Sequence, residues 1–363
     1  MMTPDKVQDP DSLLAWRRTV PGDEGIAVVT GTFDLFQPGN LQAIRRARSL
    51  ARYVIVVVEP DDVVAGHAGE GRPQNHLDTR VEMVTYLRDV QAVTCLGRGD
   101  GRNFFRSLMP FIWVATDGNA SPREPYAEAL STLAPGEKRA PLQGCSTGEI
   151  ILAMREHHTP IKLPAGWDLP LSGPVSVVAE SGLTVSVNGC FDILHVGHLR
   201  FLAEARGLGG SLTVFINDDR SVARYKGLTR PVFPEAFRAA ALGALWPVDR
   251  VIPFAGDHPL EELRQFRPMI HVKGGTYEPE RVRQERELVE SWGGRLVCAP
   301  MVDGFSTTHF IARALAVGKT RCGESPETLQ GGGRHGELRQ SDQLQHNPAR
   351  DPARGKDGAG AGG

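Results

Sequence analysis

Leu183-Thr184-Val185-Ser186-Val187-Asn188-Gly189-Cys190-Phe191-Asp192-Ile193-Leu194-His195-Val196-Gly197-His198-Leu199 is the stretch whose reading decides the fold. Its first five residues alternate in the manner of a β-strand, and a helical pattern runs from His198 to about Arg206. Two glycines and two histidines therefore fall where a strand hands over to a helix. The unpaired N–H groups of a helix's first turn point at that junction, and open α/β sheets bind anions there.

Working outward, the same pattern stands 158 residues earlier. Ile26–Thr30 reads as a buried strand, followed by Gly31-Thr32-Phe33-Asp34-Leu35-Phe36-Gln37-Pro38-Gly39-Asn40. Gly31, Asp34 and Gly39 match Gly189, Asp192 and Gly197, but Gln37 and Asn40 stand where the second copy has His195 and His198. The repeat continues without a gap: Tyr53–Val58 matches Ser211–Ile216, Arg72-Pro73 matches Arg230-Pro231, and Arg80 matches Arg238. Gly144–Gly148 echoes Gly304–Thr308 with a two-residue slip. A tandem duplication of an α/β unit is the predicted architecture.

The expected organisation is a leader over 1–24, a degenerate unit over 25–160, a Pro- and Gly-containing linker over 161–174, a catalytic unit over 175–319 and a disordered tail over 320–363. In the second unit strands are predicted at Thr184–Val187, Leu212–Phe215, Arg250–Pro253, Met269–Val272 and Arg295–Cys298. Helices are predicted at His198–Arg206, Pro234–Leu245, Leu260–Arg267, Pro279–Trp292 and Thr308–Ala316. No GxGxxG follows a first strand, which argues against an ordinary nicotinamide or flavin enzyme.

The 363 residues carry a net charge of −2, so nothing points to nucleic acid or a membrane surface as partner. Five scattered cysteines form no metal-ligand spacing and suit a reducing, cytoplasmic setting. Apolar runs are strand-length, far short of the twenty or so residues a membrane span needs. One chain holding a pair of units can stand in for a dimer, and a homo-oligomer is left open.

Several residues at the strand ends suit phosphate chemistry. His195 and His198 can approach one ligand from the same side and stabilise charge on a transferring phosphate, best as imidazolium. A helix cap with core packing is the bland alternative. Asn217-Asp218 follows a strand, where an Asx turn competes with ligand binding. Lys226, Arg230 and Arg238 are candidate phosphate clamps. Lys273-Gly274-Gly275 could wall a nucleotide or acceptor, and Ser306-Thr307-Thr308 could cap a helix or touch phosphates. No cluster suggests a dedicated protein metal site.

Gly189–Asp192, His195–His198, Asn217-Asp218, Ser221–Gly227, Arg230-Pro231, Arg238, Lys273–Gly275 and Ser306–Thr308 together resemble the HxGH nucleotidyltransferase superfamily, closest to its ADP-heptose synthase branch. The resemblance implies two Rossmann-like (HUP-type) domains with parallel sheets. It also implies transfer of AMP from ATP, accompanied by Mg²⁺, to a sugar 1-phosphate such as heptose 1-phosphate. On this resemblance His195, His198, Lys226 and Arg238 are catalytic. Gly189, Cys190, Phe191, Asp192, Gly197, Asn217, Asp218, Arg230, Lys273, Gly274, Gly275, Ser306, Thr307 and Thr308 bind nucleotide or substrate. Thr276 departs from the Asp usual in that family, which bears on the acceptor. The rival readings are a cytidylyltransferase forming a CDP-alcohol, such as CDP-glycerol or CDP-ethanolamine, and a nucleotide-binding regulatory protein without turnover. The first copy, with Ala68 and Ala115 where the second has Lys226 and Lys273, is expected to be non-catalytic.

Overall fold

The computed structural model describes residues 6–22, 24–68, 71–97, 100–115, 126, 129–130, 132–133, 136–137, 146–163, 167, 182–275, 279–300 and 306–316. The tail, most of the expected linker, and positions 144–145, 276 and 304–305 lie outside them.

After a short helix α1 (Pro10–Arg17), the first lobe runs β1 (Ile26–Gly31), α2 (Pro38–Leu50), β2 (Tyr53–Val58), α3 (Asp61–Ala68), α4 (Leu77–Thr85), β3 (Ala92–Cys95), α5 (Gly101–Leu108), β4 (Ile112–Ala115), β5 (Gly136–Glu137) and α6 (Thr147–Arg155). The second runs β6 (Thr184–Gly189), α7 (Val196–Gly207), β7 (Ser211–Asn217), α8 (Asp219–Lys226), α9 (Glu235–Gly243), β8 (Arg250–Phe254), α10 (Leu260–Phe266), β9 (Ile270–Gly274), a 3₁₀ turn, α11 (Arg283–Glu290), β10 (Arg295–Ala299) and α12 (Thr307–Ala316). Each lobe holds a five-stranded sheet, ordered β3-β2-β1-β4-β5 and β10-β9-β6-β7-β8, with every paired strand parallel.

The five second-lobe strands are found where the alternation places them, each running one or two residues further than predicted at its carboxyl end. Helix α8 is an addition: the Asx-type start at Asp218 is a true N-cap, its Oδ1 accepting from Ser221 N–H at 2.7 Å. The segment predicted as one helix over 279–292 is a 3₁₀ turn followed by α11. The repeat is kept in register as well as in sequence. Val28 pairs with Ile55 and Trp113, and Ser186, 158 positions on, pairs with Thr213 and His271. In both sheets the central strand has its sequence neighbour on one side and a later strand on the other. The crevice outside the carboxyl ends of β6 and β9 is thus the topological switch point, where ligands of open α/β sheets bind.

The lobes share one apolar core that includes Tyr86, Leu87, Leu199, Leu245 and Val248. Leu87 and Leu245, at equivalent positions, meet in an antiparallel bridge. Arg88 N–H donates to Ala244 O and Trp246 N–H to Tyr86 O, both at 2.9 Å, while Tyr86 and Trp246 stack with ring centres 6.2 Å apart. Since 86 is equivalent to 244 and 88 to 246, this contact is isologous, as in a two-fold dimer. Among the described residues no helix is long and apolar enough to cross a membrane.

Candidate active site

The loop from β6 to α7 carries the histidines. Phe191 takes φ 46°, a left-handed conformation that a bulky side chain resists; Phe33 takes φ 52° at the matching place. This kink belongs to the fold, since it persists in the copy that lacks the histidine pair. A Cβ on Gly189 would lie 3.0 Å from the Phe191 ring, a close approach that the glycine relieves.

His195 is the N-cap of α7, and its Nδ1 accepts from the His198 backbone N–H at 3.4 Å. That bond places the imidazole proton on Nε2, the nitrogen able to donate to an anion. The two rings stack with centres 3.7 Å apart, and Phe191 meets His198 edge-on at 5.4 Å. Burial holds His195 down to about 4. Burial, and then the neighbouring His195, hold His198 well below the ordinary histidine range against the pull of the Ile193 carbonyl. Both rings are thus neutral at pH 7 in the free protein, and the imidazolium form expected of them belongs to a site with phosphate beside it.

Three of the expected phosphate or nucleotide ligands have structural work instead. Arg238, expected to clamp phosphate, is fully buried. It donates to the carbonyls of Phe233 at 3.1 Å, Cys190 at 2.7 Å and Asn217 at 2.8 Å, and to Asp219 Oδ1 at 2.7 Å. Arg80 makes the matching four bonds to Asn75, Thr32, Glu59 and Asp61 in the first lobe. The arginine therefore ties strand ends together in either copy. Asp192 accepts from Arg230 Nε at 2.5 Å and from the backbone N–H groups of Val232 and Phe233, pinning the loop before α9 to the histidine loop. Asp34 does the same with Arg72, Gln74 and Asn75. Asn217 donates through Nδ2 to Ser221 Oγ and Gly256 O, both at 3.2 Å.

Other expected residues stand at the edge. Cys190 contacts Asn217 Oδ1 at 3.8 Å, and burial pushes its thiol up while Lys226 pulls it down. Lys226 is exposed at the end of α8. Ser306 Oγ accepts from His309 N–H, and Thr307 Oγ1 donates to Ile193 O at 3.3 Å, bringing the start of α12 onto the histidine loop. Thr308 is exposed and Gly197 is buried in the first turn of α7. A Cβ on Gly274 would meet the Phe201 ring at 3.1 Å, and Gly275 has φ 123°.

Lys273 at the end of β9 is nearly buried. Its Nζ lies 2.8 Å from Asn188 Oδ1 and 2.8 Å from Glu285 Oε2. Glu285, absent from the sequence reading, also contacts His258 Nδ1 at 3.0 Å and His271 Nε2 at 3.8 Å, and His271 Nδ1 meets Ser186 Oγ at 2.8 Å. Burial opposes its ionisation, but the His271 side chain and the Lys273 ammonium prevail and hold it at about 2. The available signal is spacing: Val282, Glu285 and Val289 share one face of a helix, so a charge sits on the apolar stripe. In the first lobe Val28, Thr30, Trp113 and Ala115 stand where the second has Ser186, Asn188, His271 and Lys273.

The first lobe's own edge is unsuited to phosphate. Gln37 and Asn40 form a reciprocal capping box at the start of α2. The buried Glu59 carboxylate, paired to His67 at 2.8 Å, takes the place of Asn217.

Two parallel sheets with a histidine pair at the switch-point edge of one define a nucleotidyltransferase of the HxGH type. The chain belongs to the cytidylyltransferase-like family, whose model matches residues 28–125 and 186–313. The bifunctional protein HldE of Syntrophotalea carbinolica is 50% identical over 131 residues, 36% of this chain and 26% of that protein. The protein of the same name from Paramagnetospirillum magneticum is 41% identical over 169 residues, 46% of this chain and 34% of its own. The chain thus spans about a quarter to a third of the length of these curated relatives. The crystal structure of the lipopolysaccharide core biosynthesis protein from Thermoplasma volcanium GSS1 is 28% identical, covering 34% of this chain and 100% of its own, with a TM-score of 0.30.

Proposed function

We propose that the second lobe transfers AMP from ATP to a sugar 1-phosphate, with heptose 1-phosphate the preferred acceptor, forming an ADP-sugar and pyrophosphate. The observation that carries this reading is the stacked His195–His198 pair at the sheet's switch-point edge, with Gln37 and Asn40 on an otherwise matching scaffold in the first lobe. The heptose acceptor rests on the resemblance to ADP-heptose synthases. An acceptor phosphate oxygen attacks the α-phosphorus, and the bond from that phosphorus to the bridging oxygen of pyrophosphate breaks. The acceptor is already an anion, so no base need remove a proton. His195 Nε2–H and His198 face the non-bridging oxygens, and the N-terminus of α7 adds its partial positive charge. As phosphate approaches, its charge favours protonation of the His198 ring, while His195 keeps Nδ1 as acceptor for the cap and donates through Nε2. Lys226 and Arg230 neutralise the outer phosphates, Lys273 lines the crevice, and Ser306 and Thr307 close from α12.

Among the described residues no three His, Cys, Asp or Glu side chains are grouped to hold a metal. Asp192 and Asp218, the carboxylates beside the loop, are occupied by backbone N–H groups. Mg²⁺ would enter on the triphosphate of ATP, as the resemblance implies, and would neutralise part of its charge. A matrix of ATP and CTP against heptose 1-phosphate, other sugar 1-phosphates, glycerol phosphate and phosphoethanolamine, read by pyrophosphate release, tests the proposal. Preference for CTP with a phospho-alcohol would transfer the chain to the cytidylyl branch. No release with any pair would favour a binding role.

A further inference from the structure

We propose that the first lobe acts in cis as a positioning element for the second lobe's site, through contacts on three of the segments that build it. On α7, Arg200 stands two residues beyond His198, and Glu82 of α4 grips it with two 2.7 Å bonds. On α12, whose first residue touches the histidine loop, the Ala314 carbonyl accepts from Arg155 of α6 at 3.1 Å. On the Arg230 loop the end of the first lobe and the start of the linker act together: Thr159 Oγ1 donates to Thr229 O at 2.6 Å and Ile161 N–H to Val232 O at 2.9 Å, bracketing Arg230-Pro231. Trp167 packs 5.7 Å from Phe237 just beyond.

The ion pair breaks the two-fold symmetry of the lobe contact. The positions equivalent to Glu82 and Arg200 are Ala240 and Gln42, so the second lobe returns no such pair to the first. Docking of the lobes is already supplied by the symmetric Leu87–Leu245 bridge and its shared core. The added polar contacts fall on elements that carry His198, Thr307 and Arg230. A half-buried pair open to solvent on one side adds little stability, but fixing the direction of α7 and the Arg230 loop bears directly on the placement of reacting groups. The copy that lacks the histidine pair is in this way retained as a template for the copy that has it.

The test uses the full chain and rests on the transfer reading only for its turnover arm. Glu82→Arg, Thr159→Val, the charge-exchanged pair Glu82→Arg with Arg200→Glu, and a docking control, Arg88→Gln, are compared with wild type. Arg88 donates to Leu245 O and Val248 O at the same interface, away from the site elements. Glu82→Arg and Thr159→Val are each expected to lower kcat/KM about tenfold and to speed amide exchange in residues 193–200 or 229–233 respectively, with little change in the unfolding midpoint. The exchanged pair should recover most of the loss, and the control should keep normal turnover. Normal turnover with unchanged exchange in Glu82→Arg and Thr159→Val would overturn the proposal. So would an equal loss in Arg88→Gln, or failure of the exchanged pair to recover. Should wild type release no pyrophosphate with any substrate pair, the transfer reading fails, and the exchange measurements alone decide the positioning role.

Discussion

Replacing Arg238 with methionine separates a phosphate clamp from a structural tie. Methionine is unbranched and apolar, so it fills much of the same volume while removing every donor. The carbonyls of Phe233, Cys190 and Asn217 and the Asp219 carboxylate then lose their guanidinium partner in a buried setting. Truncating one member of a buried charged network costs about 3–5 kcal/mol. A loss of about 4 kcal/mol raises the unfolded-to-folded ratio roughly a thousandfold. The first lobe supplies the control, because Arg80→Met removes the matching four bonds in the copy that has Gln37 and Asn40 in place of the histidine pair. Urea unfolding followed by tryptophan fluorescence should show comparable destabilisation in both variants, with ATP affinity of the still-folded Arg238→Met within about threefold of wild type, a difference of well under 1 kcal/mol. A wild-type unfolding midpoint in Arg238→Met, joined to a tenfold or larger loss of ATP affinity and no such effect in Arg80→Met, would refute the structural assignment.

Installing the first lobe's cap in the second, His195→Gln with His198→Asn, should leave thermal stability near wild type while turnover falls at least a hundredfold; substantial pyrophosphate release would contradict the histidine roles. His198→Ala alone should likewise keep the fold and lose most transfer activity in the same assay. His195 is held at about 4 when folded against an ordinary 6.5, so the unfolded chain binds the extra proton between these values. Its contribution is a loss of stability, about 3 kcal/mol in all, as pH falls from 6.5 to 4. A flatter stability–pH curve in His195→Gln over that window checks it. Glu285 works over a lower range: its folded value of about 2 lies below the ordinary 4.5, so its stabilisation is present above 4.5 and is lost as pH falls through 2. Glu285→Gln should cost about 3–5 kcal/mol at pH 7 by stranding the Lys273 ammonium, and adding Lys273→Met should return a large part of it. Chemical denaturation of the single and double variants decides whether the pair is coupled.

The fold was legible because it is written in local periods and then written twice. Alternation marks β6, and a glycine-rich turn followed by helical spacing marks α7. The 158-residue offset carries the register of one sheet onto the other. The internal copy also made the histidines readable as chemistry, since Gln37 and Asn40 hold the same turn by capping alone. What sequence could not assign was the use of a charge. Arg230, Arg238 and Lys273 look alike as cations near strand ends, yet burial and the direction of nearby carbonyls and carboxylates commit Arg238 to three backbone carbonyls and the Asp219 carboxylate. The same factors tie Arg230 to Asp192 and pair Lys273 with Glu285, a residue twelve positions on. Those partners come from separate loops and helices, so no spacing rule joins them. The protonation state of the histidines was likewise decided by tertiary structure, because burial in the packed loop outweighs their intrinsic basicity until an anion arrives. The sequence by itself determined two tandem parallel-sheet units and which of them keeps the histidines. Only the packed chain decided which polar groups remain for a ligand, and that the lobe lacking the histidine pair contacts the site elements of the other.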